Sequence, residues 1–288
     1  MDPLFLLIQV LNGVQYGLLL FLIASGLTLV FGILNVINLA HGSFYMIGAY
    51  LAYALTLRTG SLWLAILIGL PIAVMVGLLV ERLMIRFLYT RDHLYQVLLT
   101  YGLILIFNEL QSLIFGNDVH GVPVPAAFQY SIPLTENLSY PVYRLVVSGI
   151  CLAMVAVMYF VIQRTRLGMA IRAGSVNREM VQSLGINIKL LYTIVFAAGA
   201  GLAALAGMIA APLSSVYPGL GEHVLIICFV VVVIGGIGSI RGAFIAALLI
   251  GLADTFGKVF LPDLASVVVY AVMAAVLLWR PQGVFGRA

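Results

Sequence analysis

The chain has 288 residues, 64% hydrophobic and only 8% charged, with a formal net charge of +4 and a mean hydropathy of +1.18. Apolar runs longer than the roughly 20 residues that cross a bilayer exclude a soluble globular domain. Runs apolar on every face, such as Leu62 to Val80, exclude the alternating strands of a membrane β-barrel.

What remains is an all-α, polytopic membrane protein: one transmembrane domain over residues 1–288, with eight to ten transmembrane helices including broken or re-entrant segments. Apolar segments fall at 5–31, 36–57, 62–80, 94–115, 142–163, 190–212, 223–237, 243–258 and 265–279. The start, MDPLFLLIQV, has an acid and no basic residue before its apolar run, so the first span is expected to be retained and not cleaved as a signal peptide.

The second segment opens with NVINLAHGSFYMIGAYLAY, Asn35 to Tyr53. On a helix Asn38, Gly42, Tyr45 and Ala49 recur on one face of polar and small residues, which suits protein or water and not lipid. Just before it, Phe31-Gly32-Ile33-Leu34-Asn35 joins two apolar runs through weak helix formers, so the backbone can break at membrane depth if protein surrounds it. Two readings stand: Asn35, Asn38 and His41 as hydrogen-bonding glue between helices, or as part of a substrate path.

Further along, Glu81 beside Arg82 and Arg86 is read as an ion pair at a helix end. Glu109 and Asp254 lie deeper in spans, where ionisable groups mark function. Residues 116–141, with Asp118 and Glu136, contain no Lys or Arg, whereas 164–189 hold Arg164, Arg166, Arg172, Arg178 and Lys189. The positive-inside rule therefore puts 164–189 in the cytoplasm and 116–141 outside. Counting outward, Arg82, Arg86, Arg91, Arg241, Arg280 and Arg287 also fall inside and only Arg58, Arg144 and Lys258 outside, with the N-terminus outside and the C-terminus cytoplasmic. In such a chain the basic residues sort topology, and no nucleic-acid partner is expected.

Within the basic loop, Ser175 to Leu184 forms a short amphipathic helix with Val176, Met180 and Leu184 on one side, closed by Gly185. An apolar stripe in a small soluble loop needs a groove: another protein's, its own membrane domain, or the lipid interface. The Gly199, Ala203 and Gly207 series after it reads as close helix packing. Near the end, GGIGSIRGAFIAALLIG, Gly235 to Gly251, repeats the pattern of Gly42-Ser43 followed by Gly48-Ala49-Tyr50-Leu51-Ala52. Paired glycine-interrupted segments occur in internally duplicated transporters, although glycine packing explains the spacing as well.

Cys151 and Cys228 both lie in apolar segments and behave as small apolar groups. The four histidines, His41, His93, His120 and His223, are scattered over separate segments, so neither a catalytic dyad nor a metal site is expected. Gly257-Lys258 is followed by Val259, so the chain has no phosphate-binding loop for ATP.

In order, FGILNVINLAHGSFYMIGAYLAY, NREMVQSLGIN, VVVIGGIGSIRGAFIAALLIG and WRPQGVFGR resemble the LivH-type permeases of high-affinity branched-chain amino acid ABC transporters, over essentially the whole chain. The resemblance implies a permease subunit in a bacterial or archaeal inner membrane. Its implied partners are a LivM-type permease, two cytoplasmic ATP-binding subunits and a periplasmic or extracellular substrate-binding protein, beside membrane lipid. It implies no cofactor, and ATP hydrolysis in partner chains. Asn177, Arg178, Glu179, Met180, Leu184 and Gly185 correspond to the ATPase-coupling segment within the loop 164–189; many members carry paired alanines where this chain has Met180-Val181. The resemblance turns Asn35, Asn38, His41, Gly42, Ser43 and Tyr45, with Gly235, Gly236, Gly238 and Ser239, into expected translocation-path residues. The alternatives are a proton-coupled secondary transporter using Glu109 or Asp254, or a facilitative channel for urea or amides; neither gives a reason for an exposed coupling helix.

Overall fold

A computed structural model of the chain describes residues 3–89, 91–135 and 138–285; Glu136 and Arg287, named above, lie outside the described residues. The helices are α1 (Pro3–Leu34), α2 (His41–Thr59), α3 (Leu62–Leu83), α4 (His93–Phe115), α5 (Val142–Arg164), α6 (Arg166–Val176), α7 (Arg178–Ser183), α8 (Ile188–Ala210), α9 (Leu220–Gly235), α10 (Ile240–Phe260) and α11 (Ala265–Trp279). Each of the nine apolar segments became one helix, because a chain in lipid satisfies its backbone polar groups locally only as a helix. The polar connection after α4 holds the departure from an all-helical chain, an antiparallel hairpin of β1 (Ser131–Thr135) and β2 (Leu138–Pro141).

Six helices, α1, α3, α4, α5, α8 and α10, are long and apolar enough to cross a membrane. The expected count of eight to ten is not confirmed: α9 has 16 residues, the apolar part of α11 runs only from Val267 to Trp279, and α2 has 19 residues that include His41, Ser43 and Arg58.

Every residue of α1 from Gly17 to Val30 and most of α8 is buried, whereas α3, α4 and α5 bury few of theirs. The difference follows from small residues. Gly26 of α1 lies against the Gly199 backbone of α8, and Gly17 against Ala247 and Leu248 of α10. Gly48 of α2 lies against Ala204 and Gly207 of α8 against Tyr45, so the Gly199–Gly207 series does serve close helix packing. Leucines and phenylalanines fill the gaps on either side, with Phe44 edge-on to Phe196 at 5.9 Å and Phe21 to Phe244 at 5.1 Å. Cys151 and Cys228 are free and buried in this packing.

Two charged-residue expectations change. Glu81 forms no ion pair among the described residues; it is fully buried and accepts hydrogen bonds from Tyr89 Oη (2.6 Å) and Thr193 Oγ1 (2.8 Å), while Arg82 and Arg86 point outward. A buried carboxylate needs partners that reach it, and two hydroxyls on neighbouring segments supply them. Asp254 is ion-paired with Lys258 at 2.6 Å, one turn along α10, a satisfied pair and not a lone proton carrier.

Candidate functional site

The break between α1 and α2 lies at 35–40. Phe31 to Leu34 remain helical, contrary to the expected break among them, and Asn35 turns the chain in the left-handed region at φ 54°, where asparagine is among the few side chains tolerated. The chain then runs back beside α1. His41 Nε2 sits 3.0 Å from the carbonyl oxygen of Ile23, eleven positions before Leu34, or roughly 16 Å back along the helix at about 1.5 Å per residue.

Irregular backbone at such depth must find distant partners. The Ile37 amide donates to Gln96 Oε1 of α4 at 3.1 Å, and Thr100 Oγ1 approaches the Ile37 carbonyl at 3.5 Å. Gln96 in turn donates to the carbonyls of Leu88 and Arg91. It is a clamp that local sequence did not announce; its one signal is that Gln96 and Thr100 stand one turn apart on α4. Asn38 closes the turn by accepting from the Ala40 amide through Oδ1 at 3.1 Å. Asn38 is therefore not on the α2 face assigned to it: α2 starts at His41, because the asparagine side chain captures the amide that helix would need.

Of the expected path residues, Asn38, His41, Gly42, Ser43 and Tyr45 are buried among α1, α2, α8 and α9. The His41 ring rests on Gly26, and Gly42 is packed against the Gly221 backbone of α9. Asn38 Nδ2 and His41 Nδ1 are buried with no hydrogen-bond partner.

Asn35 lies apart from these. With Gly238 and Ser239 it lines a cavity of about 630 Å³ bounded by the end of α1, Arg172 and Ser175 of α6, and Gln282 and Phe285 of the C-terminal segment. Gly235 and Gly236 stand behind the wall: Gly236 (φ 92°) and Gly238 (φ 80°) make the turn from α9 to α10, and the Gly235 carbonyl fills the space where a Gly242 side chain would go. Ser239 caps α10 by accepting from the Gly242 amide. Gly32 of α1 packs on the Gly238 Cα, whereas Gly42 and Gly48 of the first glycine-interrupted cluster pack on Gly221 of α9 and Ala204 of α8. The C-terminal motif also took on a structural role: the Val284 amide donates to the Ile234 carbonyl (2.8 Å) and Phe285 to Gly235 (3.3 Å), closing the end of α9.

On the same cavity rim lies the loop expected to couple to an ATPase. The expected single helix from Ser175 to Leu184 is two pieces, since Ser175 and Val176 finish α6 and Asn177 starts α7. Asn177 caps α7 by accepting from the Met180 amide at 3.0 Å; an asparagine favours ending one helix and starting another. Gly185 ends α7 at φ 83°, with Gly185 N–H to Gln182 O (3.0 Å) and Ile186 N–H to Val181 O (3.3 Å), a Schellman turn. Asn187 then caps α8 through the Leu190 amide. Val181 is buried and holds α7 down, while Val176, Met180 and Leu184 are 73%, 65% and 74% exposed. Arg172 of α6 donates to the Ile162 carbonyl near the end of α5. Arg178 and Glu179 line a smaller recess with Asn35 and Asn177.

Comparison with known proteins gives a consistent result. A family model described as "Branched-chain amino acid transport system / permease component" matches residues 9–277. The chain is 33% identical over 302 residues to the high-affinity branched-chain amino acid transport system permease protein LivH of Escherichia coli K12, covering 99% of this chain and 96% of that one. It is 32% identical over 292 residues to the corresponding BraD protein of Pseudomonas aeruginosa, covering 97% and 95%. A weaker match, 26% identical over 287 residues, covers 91% of this chain and 66% of the permease protein LivM of E. coli K12. No solved structure matches.

Proposed function

Because the chain belongs to the branched-chain amino acid transport permease family, we propose that it is a transmembrane permease subunit of an ABC importer. It carries branched-chain amino acids, or related small amino acids and amides, across a bacterial or archaeal inner membrane. It is one membrane domain and not an enzyme; ATP is hydrolysed by two separate cytoplasmic subunits. A LivM-type permease and an external substrate-binding protein complete the assembly. Its nine apolar helices lie in the membrane, α2 and α9 starting within it, with 164–189 and the C-terminus in the cytoplasm.

The observation that carries this reading is the α6–α7 segment, capped at both ends by its own residues and presenting Val176, Met180 and Leu184 to water. Exposed apolar side chains on a self-supporting helix suit the groove of a partner. Closure of the ATP-binding subunits displaces α7, and the Gly185 turn and Asn187 cap pass that displacement to α8. Through Gly199 on Gly26 and Gly207 on Tyr45, α8 bears on the α1–α2 break. Alternating access is the result. Asn35, Gly238 and Ser239 wall the cytoplasmic exit, whereas Asn38, His41, Gly42, Ser43 and Tyr45 shape the path from behind. No charged pair stands between Asn35 and Tyr53 to grip both an ammonium and a carboxylate, so selectivity resides with the binding protein.

The test is uptake in vesicles containing the assembled transporter and supplied with the binding protein. Wild type should need ATP and co-purify with the ATP-binding subunits. Gly185→Pro should lose both, because proline cannot adopt φ 83° and lacks the amide that Gln182 accepts. Uptake that follows a proton gradient and needs no ATPase would count against the reading.

A further inference from the structure

The outer face of α4 carries polar groups well inside a helix long and apolar enough to cross a membrane, where they are costly against lipid. The helix runs 23 residues, about 34 Å at 1.5 Å per residue, close to the roughly 30 Å of bilayer hydrocarbon. Tyr101, Asn108 and Ser112 recur on one side of it with Glu109 at the edge, and Tyr101 and Glu109 are exposed. Asn108 stands seven residues, or roughly 10 Å, inside the end at Phe115. Its Nδ2 donates to Oε1 of Glu222, which fixes that exposed carboxylate of the first turn of α9 at the same depth.

The adjoining stripe of α4 is accounted for within the chain, since Gln96, Thr100, Leu103, Ile104 and Gln111 are buried. Beside Asn108, which meets Glu222, and Ser112, which donates to Asn117 Oδ1, the side chains of Tyr101, Leu105 and Glu109 remain exposed. Lipid cannot cover two carboxylates without a severe desolvation penalty. Soluble subunits docking at either membrane surface cannot reach 10 Å below it. A second membrane-embedded chain can, with water between the two.

We propose that the Tyr101–Ser112 face of α4 and the start of α9 at Glu222 form the seat of a second permease chain, and that Asn108, Glu109 and Glu222 wall the aqueous path between the two chains. The proposal rests on the permease reading and adds the surface to it. It also gives the seam a mechanical link to the α1–α2 break, since the buried stripe of the same helix holds Ile37 through Gln96. The carboxylates favour a partner of different sequence, because a two-fold symmetric pair of identical chains would bring equivalent acidic faces together.

The experiment uses the assembled transporter in lipid vesicles, with the second permease and the ATP-binding subunits present. Leu105→Cys and Ser112→Cys, on the proposed seat, and Val267→Cys, an exposed α11 position, are each coupled to a thiol-reactive benzophenone and illuminated. The native thiols are buried and serve as the unlabelled background. Leu105→Cys or Ser112→Cys should yield a permease–permease adduct that Val267→Cys lacks, and Ser112→Cys should react with a charged, membrane-impermeant thiol reagent. Adducts to lipid alone, or to an ATP-binding subunit, from both α4 positions would overturn the proposal. ATP-driven uptake by wild type in the same vesicles separates that failure from failure of the permease reading, which loss of wild-type uptake would signal.

Discussion

The chain interrupts its helices in two places that carry its proposed function, and it satisfies the two interruptions by opposite means. At residues 35–40 the break is largely buried, and at its middle the amide and carbonyl of Ile37 are met from α4, about sixty residues away in sequence, by Gln96 and Thr100. At 176–187 the breaks lie in water, and the caps come from the same stretch: Asn177, Gly185 and Asn187. Local capping suffices where water can take up any remaining polar group. In the buried break each unmet group costs about 1–3 kcal/mol, so tertiary partners are required. A buried break is therefore tied to the global fold, whereas an exposed one is free to move as a unit, which is what a transmitting segment needs.

The sharpest way to break that contrast is steric. Gly42→Leu would drive a side chain into the carbonyl oxygen of Gly221, a backbone contact with no rotamer to relieve it. Folded chain should fail to accumulate, checked as the monodisperse yield after detergent extraction; a wild-type yield would mean that α2 and α9 are not packed backbone to backbone. Next in size is Gln96→Leu, which leaves the buried Ile37 amide unpaired and should cost about 1–3 kcal/mol of global stability, seen as a lower unfolding midpoint in detergent. Gln96→Glu should fall between, since it keeps the acceptor for Ile37 and loses the donor to Leu88 and Arg91.

The same division explains what could be read from the residues beforehand. Nine helices were legible because spanning a bilayer forces long apolar runs, and the end of α7 because Gly185 follows an amphipathic stretch. The start of α7 is less legible: Val176 fits the apolar period of the stripe, and only the capping side chain of Asn177 assigns it to α6. The spacing of Asn38 to Gly42 and Tyr45 fits a helix, yet its own side chain binds the Ala40 amide and delays α2 to His41. Sequence distance pairs Glu81 with nearby arginines, while its partners are Tyr89 and, 112 residues away, Thr193. In each case a local period was visible and a side chain acting on backbone or across helices was not.

Smaller effects are expected in the exposed segment, and they should stay local. Gly185→Ala places a Cβ at φ 83° in open space, so the penalty is backbone strain of about 1–2 kcal/mol. It should speed amide exchange across α7 without moving the global midpoint, whereas a global loss matching that of Gln96→Leu would mean that α7 is part of the core. Asn177→Ala removes one side-chain cap, the acceptor for the Met180 amide, worth about 1 kcal/mol of helix stability. Asn177→Ser should restore most of it, because serine also accepts from the third residue of the helix. The readout is exchange of the Met180 amide. Val181, 3% exposed, still anchors the segment in both variants, so coupling should be weakened and not abolished. That outcome separates the cap, which tunes how firmly α7 holds its shape, from the Gly185 turn, through which the proposed coupling would pass a displacement of α7 to α8.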